Sequence, residues 1–94
     1  MVKLSKWDAA EYLETEEDMA AYLNAALEDG DPSVVSSAIG TIARAKGMTQ
    51  LSRETGITRD GLYKAFSETG NPSFATVTKV LKALGLKVEI ATSV

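Results

Sequence analysis

Cysteine and histidine are both missing from this chain of 94 residues. Without cysteine there is no disulfide framework and no thiolate nucleophile, and a reducing cytoplasm is the natural setting. Without histidine the commonest metal ligand and the commonest general base are gone together. No apolar run approaches the roughly 18 residues of a membrane span, and acids interrupt the start, MVKLSKWDAAEYLE, too early for a signal peptide. A glycine-rich phosphate loop is also lacking, and no cluster sets a nucleophile beside a base. Glu11, Glu14, Glu16, Glu17 and Asp18 scatter around helix faces and a helix start, the pattern of solvated charge rather than of a metal site. The expectation is a non-enzyme with no cofactor, no metal and no membrane partner.

What is present is an apolar fraction of 45%, ordinary for one globular domain. The net charge of −3 is unevenly spread. Residues 1–47 hold four bases and nine acids, a balance of −5, whereas residues 48–94 hold six bases and four acids, a balance of +2. An acidic total therefore conceals a mildly basic second half, and it does not forbid a nucleic-acid partner.

Periodicity predicts a helical domain. Asp8 is placed to cap a short helix over 8–13. Thr15 with Asp18 three residues on resembles a capping box, ahead of Met19, Leu23, Ala26 and Leu27 on one face. Gly30 is the expected left-handed stop. A third helix starts at Asp31-Pro32-Ser33, with a stripe of Val35, Ala38, Ile39, Ile42 and Ala45 and a basic last turn before Gly47. Two short helices follow over about 49–55 and 59–67. Ser73 then caps a last helix that sends Phe74, Val77, Val80, Leu81 and Leu84 toward the core. Beyond Gly85, Leu86, Val88 and Ile90 alternate with Lys87, Glu89 and Ala91, which predicts a short strand over 86–91. The expected fold is all-α, five to six helices plus one strand, in a single domain over 1–94. Its parts are acidic helices over 8–29, a helix-turn-helix core over 33–85 and the strand.

The stretch SRETGITRDGLYKAF, residues 52–66, reads as two helices joined by a tight turn. Steeply crossed helices need a small residue at the approach, a left-handed residue at the turn and apolar residues facing inward. Ser52 supplies the first, Gly56 the second, and Leu51, Ile57 and Leu62 the third, while Thr58 caps the second helix. An ordinary αα-corner uses similar chemistry. With Leu62 and Phe66 inward, Arg59, Asp60, Tyr63, Lys64 and Ser67 face outward. Arg and Lys bond guanine edges or phosphates, and the Tyr hydroxyl bonds phosphate. Helix starts near Thr49, Thr58 and Ser73 offer free N–H groups to phosphate, and Gln50 is a further candidate contact. Asp60 sits awkwardly on a DNA-facing surface, and Gly61 costs a helix about 1 kcal/mol relative to alanine.

Three segments carry a resemblance: DAAEYLETEEDMAAYLNAALEDGDP, IARAKGMTQLSRETGITRDGLYKAFS and GNPSFATVTKVLKALGL. They resemble the probable addiction-module antidote family, prophage-type (Xre- and HigA-like) antitoxins with a helix-turn-helix. The resemblance implies a lambda-repressor-like domain, a homodimer on a palindromic operator, repression of its own operon, and a RelE/HigB-like toxin as partner. By position it implies that Gly56–Thr58 and Arg59–Ser67 form the DNA-reading element. Relative to the wider Xre pattern the segment before Leu51 is shorter by about two residues. The strand, through Leu86, Val88 and Ile90, is the expected edge for a second copy or the toxin. Two other readings remain open. One is a module whose acidic helices neutralise a toxin without operator binding; the other is a stand-alone prophage-type repressor.

Overall fold

The computed structural model describes residues 9–93. Asp8, the expected first cap, lies outside them. A 3-10 turn over Ala9–Tyr12 precedes five α-helices: α1 Glu16–Asp29, α2 Pro32–Lys46, α3 Met48–Thr55, α4 Arg59–Ala65 and α5 Phe74–Ala83. The short helix expected over 8–13 is thus only this single 3-10 turn. Its continuation is prevented by the cap of α1. The Asp18 carboxylate accepts from Thr15 N at 3.2 Å and from Glu14 N at 3.1 Å, while Thr15 Oγ1 accepts from Asp18 N at 3.0 Å. These bonds hold residues 14–15 extended, the geometry of the predicted capping box.

The remaining starts and stops follow the same local chemistry. Asp31, Thr58 and Ser73 each accept from a backbone N–H in the first turn of α2, α4 and α5. Each such cap stabilises its helix by about 1 kcal/mol. Helix α3 begins one residue earlier than expected and has no side-chain cap, because Gly47 occupies the capping position. Helix α4 stops at Ala65, two residues early: Ser67 turns back to donate its hydroxyl to the Lys64 carbonyl at 3.1 Å.

Helix α2 is the axis of the domain and packs against the 3-10 turn, α1, α3 and α4, while α5 packs on α3. That position explains why more than one stripe of α2 is buried. Ala38, Ile39 and Ile42 are covered as expected, and so are Ser36, Gly40, Thr41 and Ala43 on its other sides. Leu51, Leu62, Val80 and Leu84 complete the fully buried centre. Each such side chain contributes roughly 1.5–3 kcal/mol by leaving water.

Three expectations fail. Phe74 does not enter the core: it is 75% exposed at the first position of α5, beyond the reach of the layer that covers Val77 and Val80. Leu27 is likewise half out, at 54%, because it sits about 40° beyond Leu23, past the edge of the arc that Ala26, Met19 and Leu23 bury. Both instead form walls of a groove where α1 and α5 stand apart. The strand over 86–91 is absent, and no strand occurs among the described residues. Residues 86–93 run as an irregular tail, since a strand exists only by pairing and no other edge is present among the described residues to receive this one. Leu86 is tied to the end of α5. Its N–H donates to the Leu81 carbonyl at 2.9 Å and Gly85 N–H to Lys82 at 3.0 Å, a Schellman end to α5, and the Leu86 side chain packs on the core. Val88 and Ile90 remain exposed.

Candidate nucleic-acid interface

Helices α3 and α4 are joined by Gly56, Ile57 and Thr58. Gly56 adopts the left-handed conformation, φ 77°, and its N–H donates to the Ser52 carbonyl at 2.9 Å to close α3. Ser52 is more than a small residue: its hydroxyl donates to the Ile57 carbonyl and ties the turn to the helix before it. Thr55 forms a second tie. Buried, it donates to the Leu51 carbonyl at 2.8 Å and accepts from Ile57 N at 3.2 Å. Thr58 Oγ1 accepts from Gly61 N at 3.0 Å and opens α4. Leu51 and Leu62, both fully buried, and half-buried Ile57 anchor the unit in the core. The turn is therefore held by three side chains, Ser52 and Thr55 from the end of α3 and Thr58 within it, which makes the relative placement of α3 and α4 rigid.

Arg59, Asp60, Tyr63 and Lys64 are exposed together on α4, as their spacing demands once Leu62 and Phe66 point inward. Ser67 lies just past the helix end, half-buried. Thr49 and Gln50 are exposed on the first turn of α3, and Ser73 is exposed at the start of α5. Several have internal partners. Gln50 Nε2 donates to Glu54 at 3.0 Å, and Ser73 is occupied with Thr76 through both side chain and backbone. The Lys64 ammonium lies 3.3 Å from the Asp60 carboxylate, four residues back on the same face. Asp60 thereby has a definite role, pairing the lysine beside it. Both ends are nearly free in water, so this pair is worth about 0.3–0.5 kcal/mol. An anion competing for Lys64 has little to overcome. Arg59 makes no ion pair among the described residues.

Glycine 61 also acquires a reason. A Cβ there would sit 3.1 Å from the Thr58 hydroxyl and 3.2 Å from a methyl of Ile57, crowding the cap and the turn together. The residues missed in the sequence are Thr55 and Gly40. Gly40 lies in the middle of α2, where a Cβ would overlap the Phe66 carbonyl at the end of α4. A mid-helix glycine was a readable sign of such an approach; the role of Thr55 had no sign at all. Among the described residues no three acidic side chains converge on a point that could hold a metal ion, and no helix is long and apolar enough to cross a membrane.

The class defined by this arrangement is a small all-helical domain that presents two short, rigidly joined helices at its surface. The chain belongs to the family described as probable addiction module antidote protein, whose model matches residues 3–92. It is also 50% identical, over 91 residues, to an uncharacterized protein of Haemophilus influenzae strain Rd, covering 97% of this chain and 94% of that protein. No solved structure matches the chain.

Proposed function

We propose that the chain is the antidote of a toxin–antitoxin module and binds the operator of its own operon through α3, the turn and α4. Membership of the antidote family supports a toxin partner. The observation that carries the DNA-binding part is the rigid α3–turn–α4 unit with Arg59, Tyr63 and Lys64 exposed side by side on its second helix. In this reading the unit is a helix-turn-helix of the Xre/HigA-like, lambda-repressor-like kind. Helix α4 lies in the major groove, Arg59 bonds a guanine edge, and Tyr63 and Lys64 bond phosphates. Thr49, Gln50, Thr58, Ser67 and Ser73 flank the backbone. Lys64 exchanges its weak bond to Asp60 for a phosphate, and the acidic helix α1 points away from the duplex. Two copies would place their reading helices about 34 Å apart on a palindromic site, and the tail residues Leu86, Val88 and Ile90 face the toxin. The partner is a RelE/HigB-like toxin, met in the cytoplasm.

A gel shift with the promoter of the operon, at fixed salt, tests this. Arg59→Ala is expected to weaken binding by about 1–3 kcal/mol, roughly 5- to 150-fold, with unchanged helix content. Wild-type affinity in both Arg59→Ala and Lys64→Ala would remove α4 as the reading helix. One observation favours a second reading, toxin binding without operator binding: Asp60 offsets Lys64 and leaves Arg59 as the one unpaired cation on α4. Capture of the toxin with no shift of the promoter fragment would establish that alternative.

A further inference from the structure

A groove of about 700 Å³ runs between α1, α5 and the tail. Its walls carry Leu27, Phe74 and Val88, which are 54%, 75% and 53% exposed, and its floor is closed by half-buried Val77 and Leu86. These are three of the seven large hydrophobic side chains exposed among the described residues. Contiguous apolar surface of this kind on a small domain marks an interaction site. None of the lining residues belongs to α3 or α4.

The rim is acidic on balance, with Glu16, Glu17 and Glu89 against Lys87. Helix α1 carries Glu16, Glu17, Asp18, Glu28 and Asp29 and no lysine or arginine. Glu16 and Glu17 line the groove, as does Glu89, and the basic residue among the liners, Lys87, lies 3.4 Å from the Glu89 carboxylate. A second copy seated here would set one acidic rim against another, a juxtaposition that costs several kcal/mol. Nucleic acid is repelled for the same reason. The complement of an apolar floor with carboxylates at its edge is a peptide segment with apolar anchors on one side and Lys or Arg flanking them.

We propose that this groove receives a cationic, amphipathic segment of the toxin, an assignment that rests on the antidote reading above. Leu27 and Phe74 grip the apolar anchors, and Glu16 and Glu17 take the flanking cations. Because α3 and α4 lie outside the groove, toxin and operator can be held at once.

The test is titration of the full chain with the protein encoded by the adjoining reading frame, at fixed salt, beside a promoter gel shift. The double variant Leu27→Asp/Phe74→Asp changes two exposed residues. It is expected to weaken toxin binding at least about 30-fold, the loss typical of a central anchor, while the chain stays folded; operator affinity is read on Leu27→Asp alone, since Phe74 adjoins Ser73 at the α5 start, and is expected to stay as in the wild type. Glu16→Gln/Glu17→Gln, which removes no packing, is expected to slow association and flatten its salt dependence. Wild-type toxin affinity in both double variants overturns the groove assignment and leaves the antidote reading standing. Failure of the wild-type chain to bind overturns the antidote reading and the assignment together. If the apolar variant converts a dimer to a monomer yet keeps its toxin affinity, the groove is a self-interface and the proposal is wrong.

Discussion

Alanine at position 40 should destabilise this domain even though glycine is the poorer helix former. The intrinsic effect runs the other way: Gly→Ala in a helix interior gains about 1 kcal/mol. Against it stands a contact between α2 and the end of α4. A Cβ on Gly40 would overlap the Phe66 carbonyl oxygen and reach 3.3 Å from its carbon and 3.4 Å from the Phe66 Cβ. The obstruction is backbone, so no rotamer change relieves it. Phe66 is only 4% exposed and fixed in the core, so the two elements must separate. A gap of 0.5–1 Å forfeits roughly a quarter to a half of the dispersion energy along the contact. Overpacking of this sort costs about 1–3 kcal/mol, occasionally more, and a backbone clash belongs at the upper end. Net of the helical gain, a loss of about 2 kcal/mol is expected. For a domain of this size that lowers the melting temperature by roughly 8–16 °C. Thermal and urea unfolding followed by circular dichroism would measure it. Gly61→Ala is the internal comparison: there the obstructing atoms are a hydroxyl and a methyl, which can yield by tenths of an ångström, so its change should stay within about 1 kcal/mol. A Gly40→Ala protein as stable as the wild type, or more so, would refute the close approach of α2 to α4.

Loss of the Thr58 cap in Thr58→Ala should cost about 1 kcal/mol, measured by urea unfolding, and Thr58→Asp should restore most of it because it keeps an acceptor for Gly61 N. Ending the chain at Gly85 removes the Leu86 N–H bond to Leu81 along with the exposed tail; sedimentation of this form, of one ending at Leu86 and of the full chain should show the same oligomeric state, and a full-chain dimer that both shortened forms lose would give the tail to self-association instead.

Much of the fold was legible because it is local. The Thr15–Asp18 box, the Asp31-Pro32 start, the Gly56 turn and the Thr58 and Ser73 caps are each decided by bonds among residues within a few positions of one another. The face of α4 was legible for the same reason: once Leu62 and Phe66 are inward, helical geometry leaves Arg59, Asp60, Tyr63 and Lys64 outside. The pairing of Asp60 with Lys64 is also legible from their spacing of four, and it accounts for an acid on a face otherwise suited to DNA. The tail misled because alternation reports which side chains share a face and carries no information about whether a partner edge exists. Leu86 to Ala91 alternate as a strand would, and the described residues hold no strand for them to pair with.

Sequence alone thus settled the caps that open α1, α2, α4 and α5 and which side chains of α4 face water, since caps, turns and the 3.6-residue period act over a single turn of chain. Tertiary structure decided what lies between helices. It made α2 the axis, so that Gly40 and Thr41 are buried off the expected stripe. It left Leu27 and Phe74 on the walls of a groove, because α1 and α5 do not close on each other. Burial depends on which surfaces meet at long range, and no local pattern encodes that.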